Sequence, residues 1–318
     1  MSERQETALN RFFDVKIGAL LLDALPKKTY TRLLDLGGKV PIPRFVRRSL
    51  YGIFSHLYGA EISEADRALE DYEDFDTFFT RKLKPGCRVL CSGQGKVLCP
   101  SDSSLVNVDR LKDGSLLQSK GVRYSAEGLL ASKDLARQFE GGDAVTLYLR
   151  PRDYHRVHFP ASGKVERVYH IPGERYPVIP LAVSSVEGLY RKNERVVVVQ
   201  DTEAYGKVIT VMVSALGVGN ISLSWGSNGA LSTGALKTRE ETRFPSLEGI
   251  EVKAGDELGA FHLGSSVIVL FQKGRVALSD MRPGQRVHMG QALGEVEKEA
   301  NRAAQQTLGD TGRGSDFS

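Results

Sequence analysis

The spacing of apolar side chains changes character near residue 89. Before it, apolar positions recur every three or four residues, the repeat of a helix with one buried stripe. Pro43–Tyr58 reads as such a helix, with Phe45, Leu50, Ile53, Phe54 and Leu57 on one side and Arg44, Arg47 and Arg48 on or beside the other. Glu61–Glu70 is rich in good helix formers and Phe75–Leu83 continues the pattern, so residues 1–83 are expected to be mostly helical. From Val89 onward, short runs rich in Val, Ile and Tyr stand between Gly, Pro or Asp turns. Ala144–Leu149, Gly163–Tyr169, Val196–Gln200, Lys207–Ser214 and Ser266–Phe271 are predicted strands. Ile250–Gly259 and Gly284–Gly294 echo each other as strand, Gly turn and short strand. Residues 301–318 are polar and rich in Gly, Thr and Ser, the composition of a disordered tail. The pattern predicts an α+β protein: a helical region over 1–83, a β-rich sandwich or barrel-like domain over 84–300, and a tail over 301–318.

Composition narrows this picture without identifying it. With 318 residues, 41% hydrophobic and 26% charged, the chain is long enough for one large or two modest domains. The 33 glycines favour a turn-rich, largely β architecture. Cys87, Cys91 and Cys99 are odd in number and match neither a disulfide framework nor a zinc spacing, so they are expected to be reduced, in a reducing compartment. Ile17–Leu22 stops at Asp23, far short of the roughly 20 apolar residues a membrane span requires, and no signal peptide is expected. Residues 1–60 carry ten Lys/Arg and five Asp/Glu, a local +5 against +4 for the whole chain, so the basic excess is confined there. A basic amphipathic helix suits the interface of an anionic membrane. Packing of the same helix on its own domain is the alternative. Nucleic acid is not expected, because the excess is short and no binding motif accompanies it.

The chemistry begins at Leu263-Gly264-Ser265-Ser266, which opens the run Ser266–Phe271. A serine hydroxyl here can attack the Gly264 carbonyl and turn the amide into an ester. Elimination across the serine Cα–Cβ bond leaves dehydroalanine, which hydrolyses to a pyruvoyl group. Gly-Ser is also an ordinary turn sequence, so the tetrapeptide alone does not decide. Serine needs a base, and the base an orienting acid. Leu149–Pro160 offers His155 and His158, three apart behind Arg152-Asp153, and Cys99–Ser104 offers Asp102. A satisfied core histidine and a turn-forming aspartate are the alternative readings. Pro151-Arg-Asp suggests one helical turn, in which His155 and His158 would share a face; in a strand they would point apart. Arg152 and Arg156 are candidate phosphate ligands, with an ion pair the preferred reading for Arg156.

Together these segments resemble the phosphatidylserine decarboxylase family of pyruvoyl-dependent enzymes, in its prokaryotic form. Pro151-Arg-Asp-Tyr-His-Arg-Val-His158 is a hallmark of that family, and Leu263–Ser266 corresponds to its Leu-Gly-Ser-Thr cleavage motif. Phe75–Leu83, Arg191–Arg195 and Val213–Trp225 extend the likeness over most of residues 60–295. The resemblance implies a proenzyme cut between Gly264 and Ser265 into a β chain, 1–264, and an α chain, 265–318, headed by covalent pyruvate. Asp102, His158 and Ser265 would form the self-processing triad. Phosphatidylserine would then bind as a Schiff base and lose CO2 to give phosphatidylethanolamine, the pyruvoyl group serving as electron sink without a metal. His155 or His158, titrating near neutrality, would protonate the carbanion. The implied partners are a phospholipid substrate and an anionic membrane surface, with the enzyme peripheral on the cytoplasmic face of the inner membrane. The two chains of one proenzyme would stay together, and a homodimer of such heterodimers is compatible with the pattern.

The chain departs from the family pattern in three places. Ser266 stands where Thr is usual, Pro100-Ser-Asp-Ser-Ser104 where Pro-Ala-Asp-Gly is typical, and Tyr176–Ala182 is proline-stiffened and apolar. These leave room for a pyruvoyl decarboxylase of another amino acid or lipid headgroup. A non-catalytic protein resembling lipoyl-type β-sandwiches is the other rival. A lipoyl carrier itself is disfavoured, because neither echo hairpin has a lysine at its tip. A zinc peptidase is disfavoured as well, because His155 and His158 lack a further ligand pair.

Overall fold

Continuous apolar runs bounded by turns belong in strands buried on both faces, and the computed structural model places them so. It describes residues 36–297 except 94, 120, 217–219, 226–230, 234–239, 263 and 264. Residues 1–35 of the expected helical region, Gly264 of the expected cleavage site and the expected tail 301–318 lie outside the described residues.

The helices are α1 (Arg44–Tyr58), α2 (Phe75–Phe79), α3 (Ala126–Leu130), α4 (Lys133–Gln138), α5 (Pro180–Ser185) and α6 (Leu189–Lys192). The strands begin with β1 (Lys96–Leu98), β2 (Ser103–Arg110), β3 (Ser115–Ser119), β4 (Val122–Ser125), β5 (Asp143–Leu149) and β6 (Arg156–His158). They continue with β7 (Gly163–Ile171), β8 (Arg195–Thr202), β9 (Gly206–Val213), β10 (Ile221–Leu223), β11 (Leu231–Ser232) and β12 (Thr242–Arg243). The last are β13 (Glu251–Val252), β14 (Glu257–Phe261), β15 (Ser265–Phe271), β16 (Val276–Leu278), β17 (Arg286–Val287) and β18 (Ala292–Val296). The five strands expected from the sequence are β5, β7, β8, β9 and β15.

The main sheet runs β12-β7-β8-β9-β15-β5-β2-β17, with β13 also on β7. Two smaller sheets, β11-β10-β14-β6 and β1-β18-β16, flank it. The class is α+β as expected, but the main sheet is open and does not close into a barrel. β15 lies between β5 and β9, and all seven of its residues are buried.

Each half of the sequence echo sends its first strand to the main sheet and its second to a small sheet: β13 then β14, β17 then β18. Both turn at a glycine with positive φ, Gly255 at 89° and Gly290 at 84°. The positive φ calls for glycine at both, and at Gly290 a Cβ would also crowd the backbone of Val89 and Leu90 at 3.1–3.2 Å.

The helical expectation for residues 61–70 does not hold. That stretch is a series of turns ending in a 3-10 turn at Leu69–Asp71. Propensity is overridden by pairing with the chain that follows α2. Asp66 N donates to Lys82 O at 3.0 Å, Lys84 N donates to Glu64 O at 2.8 Å, and Tyr72 Oη donates to Asp66 at 2.6 Å. Helix α1 forms as expected. Its Tyr51 and Phe54 turn inward against Phe78, leaving Phe45, Leu50, Ile53 and Leu57 exposed. Arg44 and Arg48 pair with Asp71 and Glu70.

Candidate active site

Three neighbouring strands bring the site together at one rim of the main sheet. Ser265 opens β15 and stands opposite Leu149, the last residue of β5. On the far side of β5, Ser104 near the start of β2 pairs with Tyr148, so Asp102 lies just beyond that end of β2. The chain leaving β5 forms a tight loop, closed by Arg150 N donating to Asp153 Oδ2 at 2.8 Å, and carries His155 back to the rim. There Phe261 N donates to His155 O at 3.0 Å. The loop therefore borders both the residue opposite Ser265 and the segment leading into it.

Ser265 is fully buried, and its Oγ has no hydrogen-bond partner among the described residues. A buried hydroxyl without a partner is costly and uncommon. Ser266 Oγ is also buried, near the buried Tyr190 hydroxyl.

His155 lies immediately before β6 and His158 ends it, so the two sit in extended chain rather than on one helical turn. His155 Nε2 donates to Arg150 O at 2.9 Å, which leaves Nδ1 as the basic nitrogen, buried and without a hydrogen-bond partner among the described residues. The ring packs on Phe79 with centroids 4.0 Å apart. His158 is held the other way round: Nδ1 donates to Gly255 O at 2.8 Å, and Tyr154 Oη donates to Nε2 at 3.1 Å.

Burial, reinforced by the Arg81 charge, pushes His155 down to about 3. Burial lowers His158 as well. Both rings are therefore neutral near pH 7 in the uncut chain. At His155 a donor titrating near neutrality, one of the two that the sequence suggested, is not what burial produces.

Asp102 does not orient His158 through its carboxylate. It accepts from Arg88 Nε at 2.8 and 3.1 Å, lies in close contact with Arg88 Nη2, and accepts from Met289 N at 2.9 Å. His288 Nδ1 stands 3.4 Å away. Burial opposes its ionisation, but the Arg88 hydrogen bonds and charge outweigh burial and hold the carboxyl below its usual range. Asp102 and His158 are linked instead through the backbone, where His158 N donates to Pro100 O at 2.8 Å.

Arg156 donates to Thr80 O at 2.9 Å and Glu257 at 2.6 Å, an ion pair with Glu257 rather than with the neighbouring Asp153 that the sequence offered. Arg152 lies 3.9 Å from Asp153. Cys87, Cys91 and Cys99 are unpaired, and burial pushes the Cys99 thiol up to about 12.

Sequence reasoning missed six participants. Arg88 and Tyr154 hold the groups just described, and His288 approaches Asp102. The other three form a chain of polar contacts beside the scissile segment. His262 Nδ1 donates to Asp76 at 2.7 Å, and Ser222 Oγ donates to His262 Nε2 at 3.2 Å. The position of His262 two residues before Gly264 was the available signal; Asp76, 186 residues away, had none.

The sequence profile described as phosphatidylserine decarboxylase matches residues 75–295. A relative from Anaeromyxobacter sp. (strain K), named phosphatidylserine decarboxylase proenzyme, is 38% identical over 281 residues, covering 87% of this chain and 97% of its own. Proteins of the same name from Myxococcus xanthus and Shewanella loihica are each 35% identical, covering 97% and 99% of their lengths and 87% and 89% of this chain. The Asp102 loop, the two histidines and the Ser265 strand all fall inside the matched span, and the chain belongs to the phosphatidylserine decarboxylase family.

Proposed function

We propose that this chain cuts itself between Gly264 and Ser265 and then decarboxylates phosphatidylserine to phosphatidylethanolamine and CO2. The observation that carries the reading is Ser265 Oγ, buried and without a partner among the described residues at the start of a central strand. In a chain of this family, a nucleophile left unsatisfied at the rim to which the loop after β5 returns fits self-processing.

In this account His158 is the base. Its Gly255 bond fixes the proton on Nδ1 and leaves the Nε2 lone pair as acceptor, for the Tyr154 hydroxyl in this structure and, in this account, for Ser265 during cleavage. Ser265 Oγ gives up its proton and bonds to the Gly264 carbonyl carbon. The C–N bond breaks, and the proton passes to the freed amine. Loss of the Ser265 Cα proton then expels the Gly264 carboxylate and leaves dehydroalanine, from which water releases ammonia to give the pyruvoyl group. The buried negative charge of Asp102 favours the transient imidazolium. When present, the pyruvoyl group supplies a carbonyl for the substrate amine and a sink for the electrons of the breaking C–C bond. His155, packed on Phe79 with Nε2 held by Arg150 O, keeps Nδ1 for a proton and is the residue assigned to protonate the product carbanion in this account.

The exposed Phe45, Leu50, Ile53 and Leu57 of α1 support docking on a bilayer, with the enzyme peripheral on the cytoplasmic face of the inner membrane. Among the described residues no helix is long and apolar enough to cross a membrane. The test is CO2 release from phosphatidylserine vesicles by the parent chain and by Ser265→Ala. Release by the parent alone supports the reading; equal release by both contradicts it.

A further inference from the structure

Arg81 is 2% exposed, yet it forms no ion pair with any described residue. Its Nη1 reaches Phe78 O at 3.5 Å, its guanidinium lies 5.3 Å from the Phe78 ring centroid, and its Nε has no hydrogen-bond partner among the described residues. Other buried arginines in this fold are fully engaged. Arg88 binds Glu64 and Asp102. Arg195, 3% exposed, donates to the carbonyls of Leu129, Gly128, Arg191 and Asn193 at 2.6–2.9 Å. A guanidinium withdrawn from water with one long hydrogen bond is costly unless an anion completes it.

Its position says where such an anion would sit. Phe79, two residues earlier, packs on the His155 ring, and Thr80 O accepts from Arg156 next to it. The Arg81 charge is near enough to disfavour protonation of His155. Of the two arginines that the sequence offered for this task, Arg156 is taken by Thr80 O and Glu257, and Arg152, its Nε likewise without a hydrogen-bond partner among the described residues, is 30% exposed with Asp153 3.9 Å away, so its charge is partly hydrated and partly paired where that of Arg81 is neither.

We propose that Arg81 binds the phosphodiester of the lipid substrate, an inference that rests on the function proposed above. The substrate also carries a carboxylate, but that charge vanishes as CO2 leaves. A guanidinium on it would stabilise the ground state and slow the reaction. The phosphodiester keeps its charge throughout, and its two free oxygens match the guanidinium fork.

The test compares the full-length parent with Arg81→Met and Arg81→Lys. Intact mass reads self-cleavage, and thermal melts are run with glycerophosphoethanolamine, which has a phosphodiester and no carboxylate, and with free serine, which has the reverse. Kinetics on phosphatidylserine micelles complete the set. Both variants are expected to cleave, and Arg81→Met to melt no lower than the parent, since it removes an unpaired charge. KM should rise about tenfold or more in Arg81→Met with kcat nearly kept, because a charge-assisted hydrogen bond present in both ground and transition states is lost. Arg81→Lys should fall between the two. Glycerophosphoethanolamine should raise the melting temperature of the parent and not of Arg81→Met.

A fall in melting temperature with unchanged KM would make Arg81 structural and overturn the proposal. Stabilisation by serine that depends on Arg81 would move the anion to the carboxylate, with the same consequence. If the parent itself neither cleaves nor decarboxylates, the functional reading fails. The glycerophosphoethanolamine melts still decide Arg81 in that case.

Discussion

Removing Arg88 should invert the pH dependence that Asp102 imposes on stability. The guanidinium is bound bidentately to Glu64 at 2.9 and 2.8 Å, to Asp102 at 2.8 and 3.1 Å through Nε, and to Cys87 O at 2.8 Å. Asp102 is 1% exposed and Arg88 9%. Arg88→Met leaves Asp102 with the Met289 amide and the more distant His288. Breaking a buried pair from one side costs about 3–5 kcal/mol, or about 6–20 °C of melting temperature for a domain of this size. Glu64, 27% exposed, remains partly hydrated and adds less.

The sign follows from the two ionisation states. In the parent the Asp102 carboxyl is held below its ordinary 3.8, so its stabilisation is present above that pH and is lost as pH falls. Without Arg88, burial, the largest influence on this group, is opposed only by the Met289 amide and His288 and raises the carboxyl. Its burial then costs nothing below about 3.8 and destabilises increasingly as pH rises. The gap between parent and variant should widen from pH 4 to pH 7. Urea melts of both in a Ser265→Ala background, which keeps the chain whole, measure it. A gap below about 1 kcal/mol at pH 7, or one that does not change with pH, would refute the argument.

Three further outcomes follow from the same geometry. Tyr154→Phe frees His158 Nε2 and should cleave no slower than the parent, with a gain of up to about fivefold for one hydrogen bond; a large slowing by time-resolved mass analysis would show that Tyr154 is needed to carry the proton. His262→Ala should slow cleavage, while His262→Asn, which can still donate to Asp76, should recover part of the rate. Equal rates in all three chains would detach His262 from processing. Finally, His155 is depressed from 6.5 to about 3, so unfolded chains take up its proton first and its contribution to stability is lost as pH falls through that window. His155→Gln should flatten this part of the profile, and an unchanged slope would mean the ring is not neutral in the fold.

Much of the architecture was legible in the sequence because it rests on continuous burial. Runs such as Ser266–Phe271 have no polar face to offer solvent, and they became strands of the main sheet. The echo between residues 250–259 and 284–294 was legible for a similar reason, since a glycine turn leaves its mark whatever surrounds it. Glu61–Glu70 misled because its helix-forming composition competes with pairing to residues 82–84, which local propensity does not register. Within the site, residue types were readable and their partners were not. Asp102 and His158 look like two members of one relay, yet Arg88 takes the carboxylate and Gly255 and Tyr154 take the ring. Those contacts are made by chain crossings, and neither Arg88 nor Tyr154 carries a pattern that announces its partner.

The most direct test of the central claim is the intact mass of the freshly purified chain under denaturing conditions, beside Ser265→Ala. The account predicts two fragments from the parent, residues 1–264 and 265–318, the smaller resistant to Edman degradation because a pyruvoyl group replaces its amine. It predicts one whole chain from the variant. A parent that stays whole after prolonged incubation with lipid, or a variant that is cut at the same bond, would contradict it.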